Sequence, residues 1–123
     1  MILAVDDEPH IRHVLRLVLQ RAHYAVVVAD NGQEAMGLLA QNPQIRLVVT
    51  DLVMPGVDGF ELIRHIRQQS QMPVMVLTAS GEEQYEHQAR QQGADAFLTK
   101  PFSREELLRE VERLLSHRAL TPQ

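Results

Sequence analysis

Five residues in this sequence have side chains suited to phosphorus or metal chemistry, and each stands at the end of an apolar run. Asp6 and Asp7 follow Ile2-Leu3-Ala4-Val5, and Asp51 follows Leu47-Val48-Val49-Thr50. Thr78 follows Val74-Met75-Val76-Leu77, and Lys100 follows Ala96-Phe97-Leu98-Thr99. Three carboxylates gathered with one ammonium carry excess negative charge, and repulsion raises at least one of their pKa values unless a cation intervenes. Hard oxygen ligands with no His or Cys among them favour Mg²⁺, with Mn²⁺ as the alternative. A carboxylate can also attack phosphorus to give an aspartyl phosphate. In such a transfer the metal and Lys100 neutralise charge on the equatorial oxygens, and Thr78 donates a hydrogen bond.

The rest of the chain must bring these groups together. Short β-branched runs alternate with helical-period segments five times, with strands expected at 2–5, 25–29, 47–50, 74–77 (ending at Thr78) and 96–99. Pro9 suits a first helical turn, and Ile11, Val14, Leu15, Val18 and Leu19 then recur at helical spacing. No Gly stops that helix near Ala22-His23, so His23 is expected in a left-handed conformation at some cost in stability. Asp30-Asn31-Gly32 reads as a turn before a helix that turns Ala35, Met36, Leu38 and Leu39 inward and breaks at Asn42-Pro43. Asp58 with Glu61, and Ser103 with Glu106, read as capping boxes. The first opens a helix carrying Phe60, Leu62, Ile63 and Ile66; the second opens one carrying Leu107, Leu108, Val111, Leu114 and Leu115. The helical segment 82–92 offers little apolar surface beyond Tyr85 and Ala89 and is expected to be the loosest. After His117 the pattern dissolves, so residues 1–118 are expected to form one domain and 119–123 a frayed tail or the start of a linker.

Five strands alternating with five helices imply an α/β fold with a parallel sheet covered on both faces. Right-handed crossovers leave few topologies for such a chain. The doubly wound order 2-1-3-4-5 is the familiar one, although the sequence alone is compatible with others. It opens a crevice at the carboxyl ends of strands 1 and 3. With strands about 4.8 Å apart, Asp51 would have the acid pair on one side and the Thr78 hydroxyl on the other. Lys100 would start two strands away, roughly 10 Å, a gap that only a long side chain closes. Asp51 sits centrally and is assigned the attack; Asp6 and Asp7, together on one side, suit holding an ion.

Val5-Asp6-Asp7-Glu8, Asp51-x-x-Met54-Pro55-Gly56-x-Asp58-Gly59, Leu77-Thr78-Ala79 and the run from Gly93 to Phe102 resemble the receiver domains of response regulators in two-component signalling. The resemblance covers nearly the whole chain and implies a CheY-like, flavodoxin-like sheet. It implies that Asp51 accepts a phosphoryl group from a histidine kinase or phosphotransfer protein, with no turnover of an external substrate. Asp6, Asp7 and Asp51 would bind Mg²⁺, with the backbone carbonyl of Val53 as a further ligand. Thr78 and Lys100 would bind the phosphoryl oxygens. Thr78 and Phe97 would act as the switch pair, working on a downstream protein or a covalently linked output domain. A cis bond is implied at Lys100-Pro101. Two departures stand out: His23 replaces the usual helix-ending Gly, and Ala96 follows Asp95 where relatives that dimerise through their last helices often carry a second Asp.

Composition narrows the alternatives. The chain has 123 residues, a formal charge of -4, no Cys and no Trp. No basic stripe or aromatic platform suits nucleic acid, and no thiolate chemistry is available. The apolar start is too short for a signal peptide or membrane span, so a cytoplasmic location is expected. An aspartate-nucleophile phosphatase would call for a DxD pattern where Asp6-Asp7-Glu8 stands. A flavin module would call for a Ser-, Thr- and Gly-rich loop there, whereas acids repel a phosphate. Singly, each residue has a plainer reading: Asp6 and Asp7 as a helix N-terminal acid cluster, Thr78 as a loop cap, Lys100 as a solvated lysine and Phe97 as core. Ile11 and Val14, with Arg12 and Arg16 around them, read as core or as part of a kinase docking patch. His10 and His13 lack a third ligand and read as surface histidines.

Overall fold

The computed structural model describes residues 1–79 and 83–120, with side chains described through Ser116. Strands β1 (Ile2–Val5), β2 (Val26–Ala29), β3 (Leu47–Thr50), β4 (Val74–Thr78) and β5 (Ala96–Thr99) alternate with α1 (Pro9–Arg21), α2 (Gly32–Gln41), α3 (Gly59–Gln69), α4 (Glu83–Gln92) and α5 (Arg104–Leu120). The strands form one parallel sheet in the order β2-β1-β3-β4-β5. The doubly wound order expected from the sequence is therefore the one found.

Side chains alternate across the pleat, and the three central strands are buried on both faces. Leu3, Val5, Val48, Val74 and Val76 pack beneath α2, α3 and α4, against Ala35, Leu62, Ile63, Ile66 and Ala89. Ile2, Ala4, Leu47, Val49, Met75 and Leu77 face the other way, against Leu15 and Leu19 of α1 and Leu107, Val111 and Leu114 of α5. Continuous apolar runs rather than alternating ones are what this two-sided burial demands. Each fully buried Leu or Ile adds roughly 1.5–3 kcal/mol.

The helix ends show how local chemistry sets the boundaries. Ser103 and Glu106 form a reciprocal box, with Oγ accepting from the Glu106 N–H and the Glu106 carboxylate from the Ser103 N–H, both at 3.0 Å. The second of these bonds holds the Glu106 carboxyl below its ordinary pKa. Asp58 accepts from the Glu61 N–H at 3.0 Å. Gly32 is the first residue of α2 rather than a turn residue, because Asn31 takes the cap and accepts from the Glu34 N–H at 2.8 Å. Strand β2 starts one residue later than expected, at Val26, although the Ala25 carbonyl still accepts from the Ile2 N–H at 2.8 Å. The expected start of the fourth helix at Glu82 lies outside the described residues. Helix α5 runs to Leu120, past His117, through a stretch of good helix formers. Of the expected tail, residues 121–123 also lie outside the description.

Arg67, on α3, fixes the amino end of the sheet. Its guanidinium donates to the Gly93 carbonyl at 2.7 Å, the Met72 carbonyl at 2.6 Å and Asp95 Oδ2 at 2.8 Å. The same Asp95 oxygen accepts from the Val74 N–H at 2.9 Å, so α3, β4 and the approach to β5 share one polar knot.

His23 has φ 73°, as the missing Gly led us to expect. The chain closes α1 there with two bonds, from the His23 N–H to Gln20 O at 2.9 Å and from the Tyr24 N–H to Leu19 O at 3.1 Å, the Schellman pattern. A Cβ in this conformation costs about 1–2 kcal/mol. His23→Gly should therefore raise stability by about 1 kcal/mol and the melting temperature by several degrees. Thermal denaturation followed by circular dichroism checks this; a lower midpoint would show that the imidazole supplies compensating contacts.

Candidate functional site

Register decides what meets at the carboxyl edge. Val5 pairs with Thr50, so the next residues, Asp6 and Asp51, leave adjacent strands at the same height. Thr78 pairs with Thr99, which brings Lys100 out one step beyond, its N–H donating to the Thr78 carbonyl at 2.9 Å. Lys100 then crosses two strand spacings, and its Nζ lies 2.7 Å from Asp6 Oδ2, 3.0 Å from Asp51 Oδ2 and 3.6 Å from Glu8 Oε1. The long residue closes the gap that the sequence spacing left open for it.

The two carboxylates under that ammonium are not equivalent to their neighbour. Asp6 is 1% exposed and Asp51 6%, whereas Asp7 is exposed to solvent. One oxygen of Asp6 accepts from the Glu8 N–H at 2.9 Å, and Asp51 Oδ1 accepts from the Leu52 N–H at 2.7 Å and the Val53 N–H at 3.4 Å. Burial pushes the Asp6 pKa up, against the pull of its Lys100 and Glu8 hydrogen bonds. Burial alone would lower the Lys100 pKa, but its hydrogen bonds and charge contacts with Asp6 and Asp51 outweigh burial and raise it. The pair is thus strained at the acid and secured at the base.

Carboxylate oxygens of Asp6, Asp7 and Asp51 lie within 4.8 Å of one another. Three hard oxygen donors, two of them buried, with a single ammonium between them, fit a divalent hard cation. Of the remaining expected site residues, Thr78 is buried at the end of β4 and Phe97 is half-buried on β5 against the α2–α4 layer. Val53 follows in the β3–α3 loop and is 62% exposed. The Lys100–Pro101 peptide is cis. His10 and His13 are exposed on α1 and lie outside the acid cluster, and Ile11 and Val14 are half-buried.

Arg12, beside Ile11 and Val14 that read as core or as part of a docking patch, reaches back past the start of α1 and donates from Nη1 to the Asp6 carbonyl at 2.7 Å. An Arg four residues after Glu8, one turn into α1, was the available signal, but the bend of the chain between β1 and α1 was not readable. A cavity of about 520 Å³ opens at the opposite edge of the sheet, between Ile2, Tyr24, Ile45, Met72 and Leu115, away from every charged strand tip.

The sequence profile of the response regulator receiver domain matches residues 2–112. The chain belongs to the response regulator receiver family. The transcriptional regulatory protein ResD of Bacillus subtilis is 43% identical over 122 residues, which is 98% of this receiver and 50% of ResD. SrrA of Staphylococcus aureus, also a transcriptional regulatory protein, is 39% identical over 114 residues, 93% of this receiver and 47% of SrrA. The receiver spans about half the length of these curated relatives. Among solved structures, the Vibrio cholerae chemotaxis protein CheY4 superposes with a TM-score of 0.85 at 35% identity, covering 92% of this chain and 96% of CheY4. The fold and the two-component family are thus settled together.

The pKa values of Lys100 and Asp6 are both raised, which favours the ammonium and disfavours the carboxylate, and this gives two stability predictions for the metal-free receiver. The folded Lys100 pKa lies above its ordinary value of 10.5, so its stabilisation is complete below that pH and is lost as pH rises through the folded value. Lys100→Met should cost about 3 kcal/mol at pH 7, because it leaves the buried Asp6 carboxylate without its cation, and less at pH 3, where Asp6 is protonated. The folded Asp6 pKa lies above 3.8, so ionising Asp6 costs stability as pH rises from 3.8 through the folded value. Asp6→Asn should therefore stabilise at pH 7 and lose that gain below about pH 3.8. Urea midpoints in chelator-treated buffer at both pH values check the two signs; a pH-independent gain would refute the assignment for Asp6.

Proposed function

We propose that this receiver takes a phosphoryl group onto Asp51 from a histidine kinase or phosphotransfer protein and uses it to switch an output surface. The single observation that carries this reading is the Lys100 ammonium shared by Asp6 Oδ2 and Asp51 Oδ2, with Asp7 alongside. Asp51 Oδ1 is tied to backbone N–H groups, whereas Oδ2 faces the ammonium, so Oδ2 is the oxygen free to attack once that side chain shifts. Its lone pair forms the new bond to phosphorus as the donor's bond to phosphorus breaks, and the donor's leaving group takes a proton. Asp6, Asp7 and Asp51, with the Val53 carbonyl, would hold Mg²⁺, which supplies charge neutralisation to the phosphoryl oxygens.

Lys100 then moves its pairing from the carboxylates to a phosphoryl oxygen, and the Thr78 hydroxyl donates to another. Drawing Thr78 toward the phosphate leaves room that Phe97, two residues before Thr99 on the neighbouring strand, turns inward to fill. The phosphorylated state differs in population and not in fold, and its readout is the surface of α4, β5 and α5. A downstream protein or a linked output domain reads that surface, in line with the greater length of the transcriptional regulatory relatives. Each chain takes one phosphoryl group, so the receiver catalyses its own modification and no external turnover. Residues 1–118 are the unit that does this, and the kinase partnership implies a cytoplasmic setting; among the described residues no helix is long and apolar enough to cross a membrane.

Incubation with acetyl phosphate and Mg²⁺ should add one phosphoryl group by intact-mass spectrometry. Asp51→Asn or excess chelator should abolish the addition. Labelling that survives Asp51→Asn would remove Asp51 from the role, and repeated turnover of an aryl phosphate would favour a hydrolase.

A further inference from the structure

We propose that Gly32, at the start of α2 on the same carboxyl edge of the sheet as the acids, is a positioning residue for the β3–α3 loop and thereby sets the affinity of the acidic site for a divalent cation. The inference rests on the reading of Asp6, Asp7, Asp51 and the Val53 carbonyl as the ion's ligands. The first N–H groups of a helix have no partner within it. In α2 the Asn31 side chain satisfies the Glu34 N–H, and the Gly32 N–H reaches outside the helix to the Val57 carbonyl at 3.2 Å. Val57 belongs to the loop 52–58 that carries Val53.

Gly32 is buried, and its φ lies outside the left-handed region, so the demand for glycine there is one of space. A Cβ would stand 2.5 Å from the Val57 carbonyl oxygen and 2.6 Å from Val57 Cγ1. Both the donor and the bare Cα therefore seat one loop residue. Elsewhere the loop is lightly held. Its start is fixed by the Leu52 and Val53 N–H groups on Asp51 Oδ1, its end by the Asp58 cap, and its two ends are tied by the Gly59 N–H donating to the Leu52 carbonyl at 2.9 Å. Between them Val53, Pro55 and Gly56 are exposed, Gly56 has φ 73°, and Met54 alone dips into the core. The Val57 seat is what stops the middle of the loop from drifting.

Restoring an ordinary 3.4 Å contact from the 2.5 Å approach moves the loop or the helix by about 0.9 Å. A small, rigidly octahedral ion tolerates little displacement of a ligand, and disturbing groups that orient ligands weakens metal sites about 10- to 100-fold. Gly37 supplies a matched control, since it lies in the same helix and its Cβ would meet nothing within 4 Å.

Isothermal titration of the whole chain with Mg²⁺, without any phosphodonor, tests the proposal. Gly32→Ala should weaken Mg²⁺ binding about tenfold, while Gly37→Ala should leave it within about twofold. Unchanged affinity in Gly32→Ala overturns the proposal while leaving the functional reading intact; a wild-type chain that binds no Mg²⁺ overturns both. Should Gly32→Ala fail to fold, hydrogen exchange of the wild-type Gly32 amide decides the matter. Mg²⁺ and Gly32 hold the same loop, so adding Mg²⁺ should slow that exchange several-fold, and exchange indifferent to Mg²⁺ overturns the proposal.

Discussion

Two carboxylates cannot sit side by side in a half-buried cleft without a cation, and the protein's own cation is the ammonium of Lys100. Asp6 and Asp51 leave neighbouring strands at equal height, so each strand on its own would expel its acid toward water. Lys100 prevents this at 2.7 and 3.0 Å, but it does so from three strands away for Asp6 and two for Asp51, and only because the sheet order is fixed. The apolar layers on either face are what hold that order, so the charged knot and the hydrophobic core depend on one another. Asp6 bears the cost of this arrangement, its pKa raised by burial, whereas the raised pKa of Lys100 shows its ammonium well held. The strain at Asp6 makes the site ready to accept further positive charge.

Rigidity is spread unevenly around this knot. At the amino edge Arg67 joins α3 to the carbonyls of Met72 and Gly93 and to Asp95, and Asp95 in turn holds the backbone of Val74. At the carboxyl edge the elements nearest Thr78 are far less anchored. Helix α4 buries Ala89 alone among its described residues and leans on α3 through Tyr85, whose ring lies 6.2 Å from that of Phe60. Few buried apolar contacts mean a low free energy of local opening. An element fixed at one end of the sheet and loosely packed near the site can shift between two seatings at modest cost, which is the property a phosphorylation switch requires.

Much of this was legible because the relevant signals are one-dimensional. Unbroken apolar runs mark strands buried on both faces, and the residue ending each run marks what the crevice receives. Even the left-handed His23 followed from a missing Gly at a helix end. What escaped reading depends on distances through space. Asp6 and Asp7 are chemically identical in sequence, yet one is buried beneath Lys100 and the other is exposed, because the chain turns into α1 between them. Arg12 belongs to the site only through a backbone carbonyl, and no side-chain pattern records such a bond. Gly32 reads as an ordinary turn glycine until Val57, 25 positions away, is found against it.

Asp51 differs from the other acids in the way its oxygens are divided, and this division is what favours it among the three carboxylates as the proposed acceptor. Asp7 is open to water, and no hydrogen bond to its carboxylate is found among the described residues. Asp6 has one oxygen on the Glu8 N–H and the other on Lys100, with its carbonyl claimed by Arg12, so both ends of the residue are immobilised. Asp51 has Oδ1 fixed by the peptide that follows it and Oδ2 held by a flexible side chain alone. Even its main-chain oxygen is pinned, since the buried Thr50 hydroxyl donates to it at 2.8 Å and a Cβ on Gly59 would collide with it. A nucleophile must keep its approach direction while giving up its counter-ion. Among these residues only Asp51 combines a rigid backbone and one anchored oxygen with a second oxygen whose partner can leave.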